Sequence, residues 1–415
     1  LTLNILVVIA WRNLWRNRRR TLLTVGTVAV GLGLLLVFLG IGDGGHQNMI
    51  ANATQMGGAD VAVQARGYQL KKGIELTLPQ TMTATVSGIL ADDPAVEAVL
   101  PRVFASGLAS SADGSSGVTI TGIDPAAERS TSLLDNKLIA GDFFEKGAPN
   151  GAVIGQGVAR KLKLAPGEKF VIMAQGAHST EIESILVRVV GIMQTGLDDI
   201  DQVAIFVRLP TAQQLLRLHG RVHQIAVMLS DPADADDVAR RLKARLPAGT
   251  ETLTWDELMP GLRDFIRIDD AGSYLFNAIF FLIIAFMVLN TLLMSVLERR
   301  REFALLDAMG LTPARRFLLV TLEAIWIAAL ASVAGLVLGY SGHLYLHIKG
   351  LPLDLFYSTE VTAGGAVIDP IIYSDLSFSR IAGATAMVFA LTLLLALIPA
   401  WRGARGADAH LLGQT

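Results

Sequence analysis

AGSYLFNAIFFLIIAFMVLNTLLMSVL, from Ala271 to Leu297, is a run of 27 residues without one charged side chain. A bilayer's hydrocarbon core, about 30 Å thick, is crossed by about 20 helical residues, so this run is long enough to span it. Working outward, Leu22–Gly42 on its N-terminal side and Phe317–Leu346 and Ile381–Trp401 on its C-terminal side pass the same length test. About 228 residues of ordinary composition, Asp43–Asp270, separate the first run from the second. The pattern predicts an α-helical membrane protein with four transmembrane helices in a 1 + 3 arrangement. A large α/β extracytoplasmic domain is inserted between helices 1 and 2.

Composition agrees. Hydrophobic residues make up 52% and charged residues 17% of the 415, the balance of a membrane protein rather than a globular one. The net charge of -2 says little, but its distribution says more. Outside the insertion there are fourteen Lys and Arg, and twelve of them fall in three short segments: Arg12 to Arg20, Arg299 to Arg316, and Arg402 with Arg405. Four crossings put these segments on one side, which the excess of basic residues makes cytoplasmic. Both termini are then expected inside and the insertion outside. With no cysteine, the insertion must be held by its own core. The first apolar run exceeds the apolar stretch of about 7 to 15 residues in a secretory signal, so a retained helix is expected.

The boundaries read as follows: a cytoplasmic N-terminal helix 1–20, a first span 21–42, the insertion 43–270, a second span 271–297, a cytoplasmic connection 298–316, a third span 317–346, an outer loop 347–380, a fourth span 381–401 and a tail 402–415. In the first segment Ile5–Arg20 reads as an amphipathic helix on the membrane surface, with Trp11, Leu14 and Trp15 opposite Arg12, Arg16 and Arg19. A merely basic, topology-setting flank explains the arginines equally well. The insertion alternates short β-branched runs (60–64, 117–121, 152–154, 169–173, 185–192, 203–207 and 224–229) with helical periodicity at 156–164, 211–218 and 233–246. Thr195–Asp201 reads as a hairpin or short connecting loop. Two subdomains are expected, the distal one from about residue 105 to 220.

Catalytic signatures are missing. Nowhere does Gly-Lys-Ser or Gly-Lys-Thr follow a Gly five residues earlier, so any ATP use is expected in another polypeptide. No motif for a zinc hydrolase or a serine esterase occurs, so no enzyme is expected, and no cofactor or metal of this chain's own. His343 and His347 share a helix face but lack a third ligand. Asp198, Asp199 and Asp201 lack the spacing of a calcium loop. Glu323, the one ionisable residue deep in a span, is expected to reach toward the cytoplasm or pack against polar groups of another helix rather than relay protons. Ala331, Gly335 and Gly339 form a ladder of small residues that lets a neighbouring helix approach closely; Gly26, Gly31 and Gly33 carry a weaker version.

Glu298–Arg316, ERRREFALLDAMGLTPARR, gives a charged turn, a short helix with Phe303, Leu306 and Met309 as apolar contacts, a stop at Gly310, and a fresh helix start after Thr312 and Pro313. A plain connector fits these residues as well as a force-carrying helix does. Here the sequence resembles the FtsX-like permeases of ABC transporters, through Asn290, Ser295, Val296, Glu298, Arg299, Glu302, Leu306, Ala308 and Gly310, and again through Pro399-Ala400-Trp401-Arg402. Within that superfamily the insertion is similar to the lipoprotein-releasing permeases LolC and LolE at Val190–Leu197 with Asp201, at Thr211–Leu216 and at Thr254–Glu257. MacB-type efflux subunits share Gly155–Gly167. Asp307 departs from the basic or neutral residue more usual at its position.

The resemblance implies a half-transporter. Two permease chains, identical or homologous, would sit on two copies of an ATPase subunit that binds ATP and Mg. Arg299, Arg300, Arg301, Glu302, Phe303, Leu306, Met309 and Gly310 would couple the two. Acyl chains of a lipoprotein would enter a lipid-filled gap lined by Val30, Leu34, Phe38, Phe276, Phe280 and Ile284. The outer domain would pass the protein to a periplasmic chaperone or adaptor, in a mechanical stroke. Membrane lipids are partners; nucleic acid is not. The resemblance leaves two alternatives: MacB-like efflux of peptides or drugs, and FtsX-like regulation of a cell-wall hydrolase.

Overall fold

The computed structural model describes residues 3–16, 18–144, 149–177, 181–298, 311–353 and 361–405. The chain divides into two compact units. Unit 1 comprises Leu1–Gly45, Ile268–Leu353 and Ile371–Thr415, and unit 2 comprises His46–Arg267 and Asp354–Pro370.

Unit 1 is built from α1 (Leu3–Arg16), α2 (Arg18–Gln55), α3 (Pro260–Glu298), α4 (Pro313–Lys349) and α5 (Phe378–Arg405). The last four are long and apolar enough to cross a membrane. The helix expected over 5–20 is two: α1 ends at Arg16, and Arg18–Arg20 open α2. Thr312 and Pro313 begin α4 with extended backbone at Thr312 and Pro at the first helical position, where a missing N–H costs nothing.

Helix α2 has 38 residues, about 57 Å at 1.5 Å per residue, well beyond the run that ends at Gly42. It passes from unit 1 to unit 2 at Gly45–His46, and α3 does the same at Arg267–Ile268. The extra turns hold because they bury side chains within unit 2. Met49 of α2 and Leu262 of α3 form a cluster with Ala366, a residue of the hairpin Val361–Ala363/Ala366–Ile368. Asn48 Nδ2 donates to Asp369 (2.7 Å) and Asn52 Nδ2 to the Val367 carbonyl (2.9 Å). The stretch read as an outer loop thus places its hairpin in unit 2.

The ten main strands of unit 2 are β1 (Val61–Ala65), β2 (Val96–Ser110), β3 (Ser115–Ile123), β4 (Leu138–Gly141), β5 (Gly151–Gly155), β6 (Lys169–Gln175), β7 (Ile182–Met193), β8 (Ala204–Arg208), β9 (Gln224–Leu229) and β10 (Thr250–Thr254). Strand β2 serves two sheets. Val96–Arg102 pair with β9 and complete the antiparallel order β10-β1-β9-β2, whereas Val103–Ser110 pair with β3. From there pairing runs β2-β3-β8-β5-β7-β6 and back to β2, a closed six-stranded ring. Closure leaves those strands no free edge.

Alternation along the strands sorts the side chains. Ile205 and Val207, Ala152 and Ile154, Val118 and Ile120 join the main core. The intervening Ala204, Phe206 and Val153 face a second cluster with Leu134, Phe143 and Phe144. The four-stranded sheet is covered on one face by the helices Thr81–Leu90 and Ala235–Arg245, through Val86, Leu90, Val238 and Leu242.

Candidate functional site

At the end of unit 1 where α3 stops and α4 starts, two motifs far apart in sequence meet. Val296 of α3, Val320 of α4 and Ala400 of α5 form one buried cluster with Phe317 against it. Ala400 is fully buried and brings α5 against the other two helices at this end, as Val388 and Ala396 do further along. Arg20 ties in α2: Nη1 bonds Glu298 Oε2 at 2.6 Å, and Nη2 donates to the Thr291 carbonyl at 3.2 Å. The coupling residues Arg299, Arg300, Arg301, Glu302, Phe303, Leu306, Met309 and Gly310 lie outside the described residues. Of their flanks, Glu298 ends α3, and Leu311 is buried two residues before α4 begins.

Helix α1 packs on α4. Leu6 and Ala10 bury against Leu319, with Trp326 beside them. The buried stripe of α1 is therefore Leu6, Ala10 and Leu14, each four residues on, and the two tryptophans sit at its border. Trp11 contacts Trp326 edge to face at 4.9 Å, and Trp15 contacts Trp11 at 5.8 Å. Arg12, Arg16 and Arg19 are exposed. Arg16 and Arg18 to Arg20 line a cleft of about 870 Å³ with Trp15 and Glu298. Glu323 accepts a 2.7 Å hydrogen bond from Asn13 Nδ2, polar packing between α4 and α1.

The small-residue ladder is the seam between α4 and α2. A Cβ on Gly335 would stand 2.8 Å from Leu32 Cδ2 and 3.1 Å from the Ala29 carbonyl oxygen; one on Gly339 would stand 2.7 Å from Leu36 Cδ1. Ala331 is fully buried. The three glycines of α2 do different things. Gly33 faces Leu338 and Gly339 of α4, Gly31 faces Ile284 of α3, and Gly26 meets nothing within 4 Å. Ile284 is thus taken out of the expected lipid-gap lining: it is 3% exposed and locked between α2 and α3. Val30, Leu34, Phe38 and Phe276 are exposed, Phe280 is half-buried, and Phe38 lies 6.4 and 6.2 Å from the rings of Phe276 and Phe280.

In unit 2, Thr195–Asp201 is a connecting loop and not a hairpin, because β5 lies between β7 and β8. Asp201, almost fully buried, accepts from Thr195 N–H and Oγ1 (both 2.8 Å) and from Gly196 N–H (3.2 Å). That carboxylate is used up in shaping the loop, and His343 and His347 bond to Ser374. No group of three metal-ligating side chains occurs among the described residues. The loop passes close over the Gly155–Gly157 turn, where a Cβ on Gly157 would stand 2.7 Å from Gln202 Cα. Gly-Gln-Gly is required there by backbone contact.

Sequence reasoning missed Arg102. Its buried guanidinium binds Glu128 through Nε and Nη2 and donates from Nη1 to the carbonyls of Gly57 and Gly58, just after α2. It also missed His223, which stacks on Tyr68 at 5.3 Å, accepts at Nδ1 from Phe104 N–H (3.0 Å) and reaches the Ile74 carbonyl with Nε2 (3.0 Å). Burial lowers its pKa, partly opposed by the Ile74 bond and Glu75.

Unit 1 has four helices long and apolar enough to cross a membrane, and unit 2 is an α/β domain of a closed ring and a four-stranded sheet. Residues 21–245 match the MacB-like periplasmic core domain, and residues 274–406 match the FtsX-like permease C-terminal domain. The chain belongs to the MacB/FtsX-like family of ABC transporter permeases. It is 24% identical to the lipoprotein-releasing system transmembrane protein LolC of Xylella fastidiosa, over 93% of this chain and 91% of that one. It is 29% identical to an ABC transporter permease of Mycobacterium tuberculosis over 54% of this chain, spanning about a quarter (26%) of that protein's length. The pyoverdine export ATP-binding/permease protein PvdT of Pseudomonas syringae is 24% identical, over 95% of this chain and 57% of PvdT.

Proposed function

We propose that this chain is the permease half of a lipoprotein-releasing ABC transporter in the bacterial inner membrane, working with a separate ATPase subunit and a second permease chain. Unit 2 is the periplasmic head, placed between the first and second spans. Both termini are cytoplasmic, and residues 299–310 couple the spans to the ATPase. The observation that carries the reading is the match to LolC along nearly the whole length of both chains. Two of the passages of the chain between the units lie inside α2 and α3, which supports a mechanical stroke in which displacement of the spans moves the head.

In this reading Val30, Leu34, Phe38, Phe276 and Phe280 face the acyl chains of a lipoprotein at the edge of the gap. Each methylene leaving lipid for water costs about 0.8 kcal/mol, so extracting a multiply acylated protein requires ATP. The decisive experiment reconstitutes the chain, with the ATPase and permease that copurify with it, into proteoliposomes. ATP-dependent release of a fluorescent triacylated lipoprotein to a soluble acceptor is expected. Release that is absent, with ATP-dependent transport of a soluble peptide in its place, would select the efflux reading that the PvdT match favours.

A further inference from the structure

Besides the expected gap, unit 1 holds a second apolar cleft, of about 440 Å³, between α2, α3 and α5. That volume lies within the range of about 300 to 1,000 Å³ that small-molecule sites occupy. Its lining is graded. Ser379 and Arg380 lie in the first turn of α5, while Leu35, Phe281 and Met387 lie deeper in the spans, with Asn277 one turn before Phe281 on α3. One rim is therefore polar and cationic and the interior apolar. Arg380 is held at the mouth by Asp43, with Nη2 3.2 Å from Oδ1. A guanidinium carries five donors, so this pair still leaves a face for an anion.

We infer that the cleft between α2, α3 and α5 is a binding site for one anionic glycerophospholipid. Its acyl chains lie along Leu35 and Phe281, and its phosphate faces Arg380. Two observations choose this occupant over a helix of a second copy: the apolar depth and the cation at the outer rim. Asp43 offsets part of the attraction, so the preference for anionic lipid is a matter of severalfold. The inference rests on the reading of these helices as membrane spans and not on lipoprotein release.

The test is native mass spectrometry of the full chain in mild detergent, titrated with phosphatidylglycerol or phosphatidylcholine. One phosphatidylglycerol per chain is expected, bound about fivefold more tightly than phosphatidylcholine, in line with a single arginine at a membrane surface. Arg380→Gln should bring the two lipids level. Gly383→Leu should expel both, and it is a sterically safe change, since a Cβ there meets no atom within 4 Å. Equal binding of the two lipids by the parent chain, or unchanged binding in Gly383→Leu, would overturn the site. A chain dimer that Gly383→Leu dissociates without loss of lipid would assign the cleft to a second copy and overturn it too. Loss of lipoprotein release with phosphatidylglycerol still bound would count against the proposed function alone.

Discussion

Arg102 and Glu128 form a bidentate ion pair with both side chains 1% exposed, Nε to Oε1 at 2.7 Å and Nη2 to Oε2 at 3.0 Å. The pair stands at the residue where β2 leaves the four-stranded sheet for the closed ring, and the same guanidinium holds the carbonyls that follow α2. Removing one partner strands the other charge in a dry site. Glu128→Leu is expected to destabilise unit 2 by about 3–5 kcal/mol, whereas Arg102→Met with Glu128→Leu costs much less. Amide hydrogen exchange of residues 96–131 in the full chain measures both; equal effects would mean that the pair is dispensable.

The glycines of the helix seam should differ sharply. Gly335→Leu must force α4 off α2 and is expected to cost about 1–3 kcal/mol or prevent assembly of the bundle. Gly26→Leu, with nothing within 4 Å, should be near neutral. Thermal unfolding of the two variants in detergent distinguishes them.

His223 accepts a backbone hydrogen bond at Nδ1 and is buried, so the folded state resists its protonation. An unfolded chain protonates its histidine near pH 6.5, so the unfolded state binds more protons below that value. The stability of unit 2 is then full above about pH 6.5 and falls as the pH drops toward the lowered folded-state pKa. Denaturant unfolding between pH 7.5 and 5 should show this slope, and His223→Gln should flatten it.

Gly157→Ala is expected to push the Thr195–Gln202 loop away, because the new methyl would collide with Gln202 Cα. Faster proteolysis within 195–202, with the ring strands still protected from exchange, is the expected signature.

What was legible in the sequence was whatever repeats or runs. The four spans announced themselves by length, and seven strand-like runs by β-branched alternation. Strand β2 escaped because Pro101 interrupts it and because an irregularity between Val96 and Ala98 and an uneven burial pattern break a single alternation. The helix Thr81–Leu90 carries threonines and a glycine without a capping side chain, a weak helical signal overridden by burial of Val86 and Leu90. The Arg102–Glu128 pair bridges 26 positions, and no local pattern predicts it. The extra turns of α2 and α3 are polar stretches stabilised by unit 2 side chains that no window on the helix itself contains. The motif residues Val296 and Ala400 were recognisable, but their mutual contact was not.

The account stands on delivery of a partner's nucleotide energy through residues 299–310 to the spans. The most direct measurement is lipoprotein-stimulated ATP turnover of the reconstituted complex carrying Arg300→Glu and Arg301→Glu. The account predicts that stimulation is abolished while the chain remains inserted and the complex keeps its basal turnover. Full stimulation in this variant would contradict it.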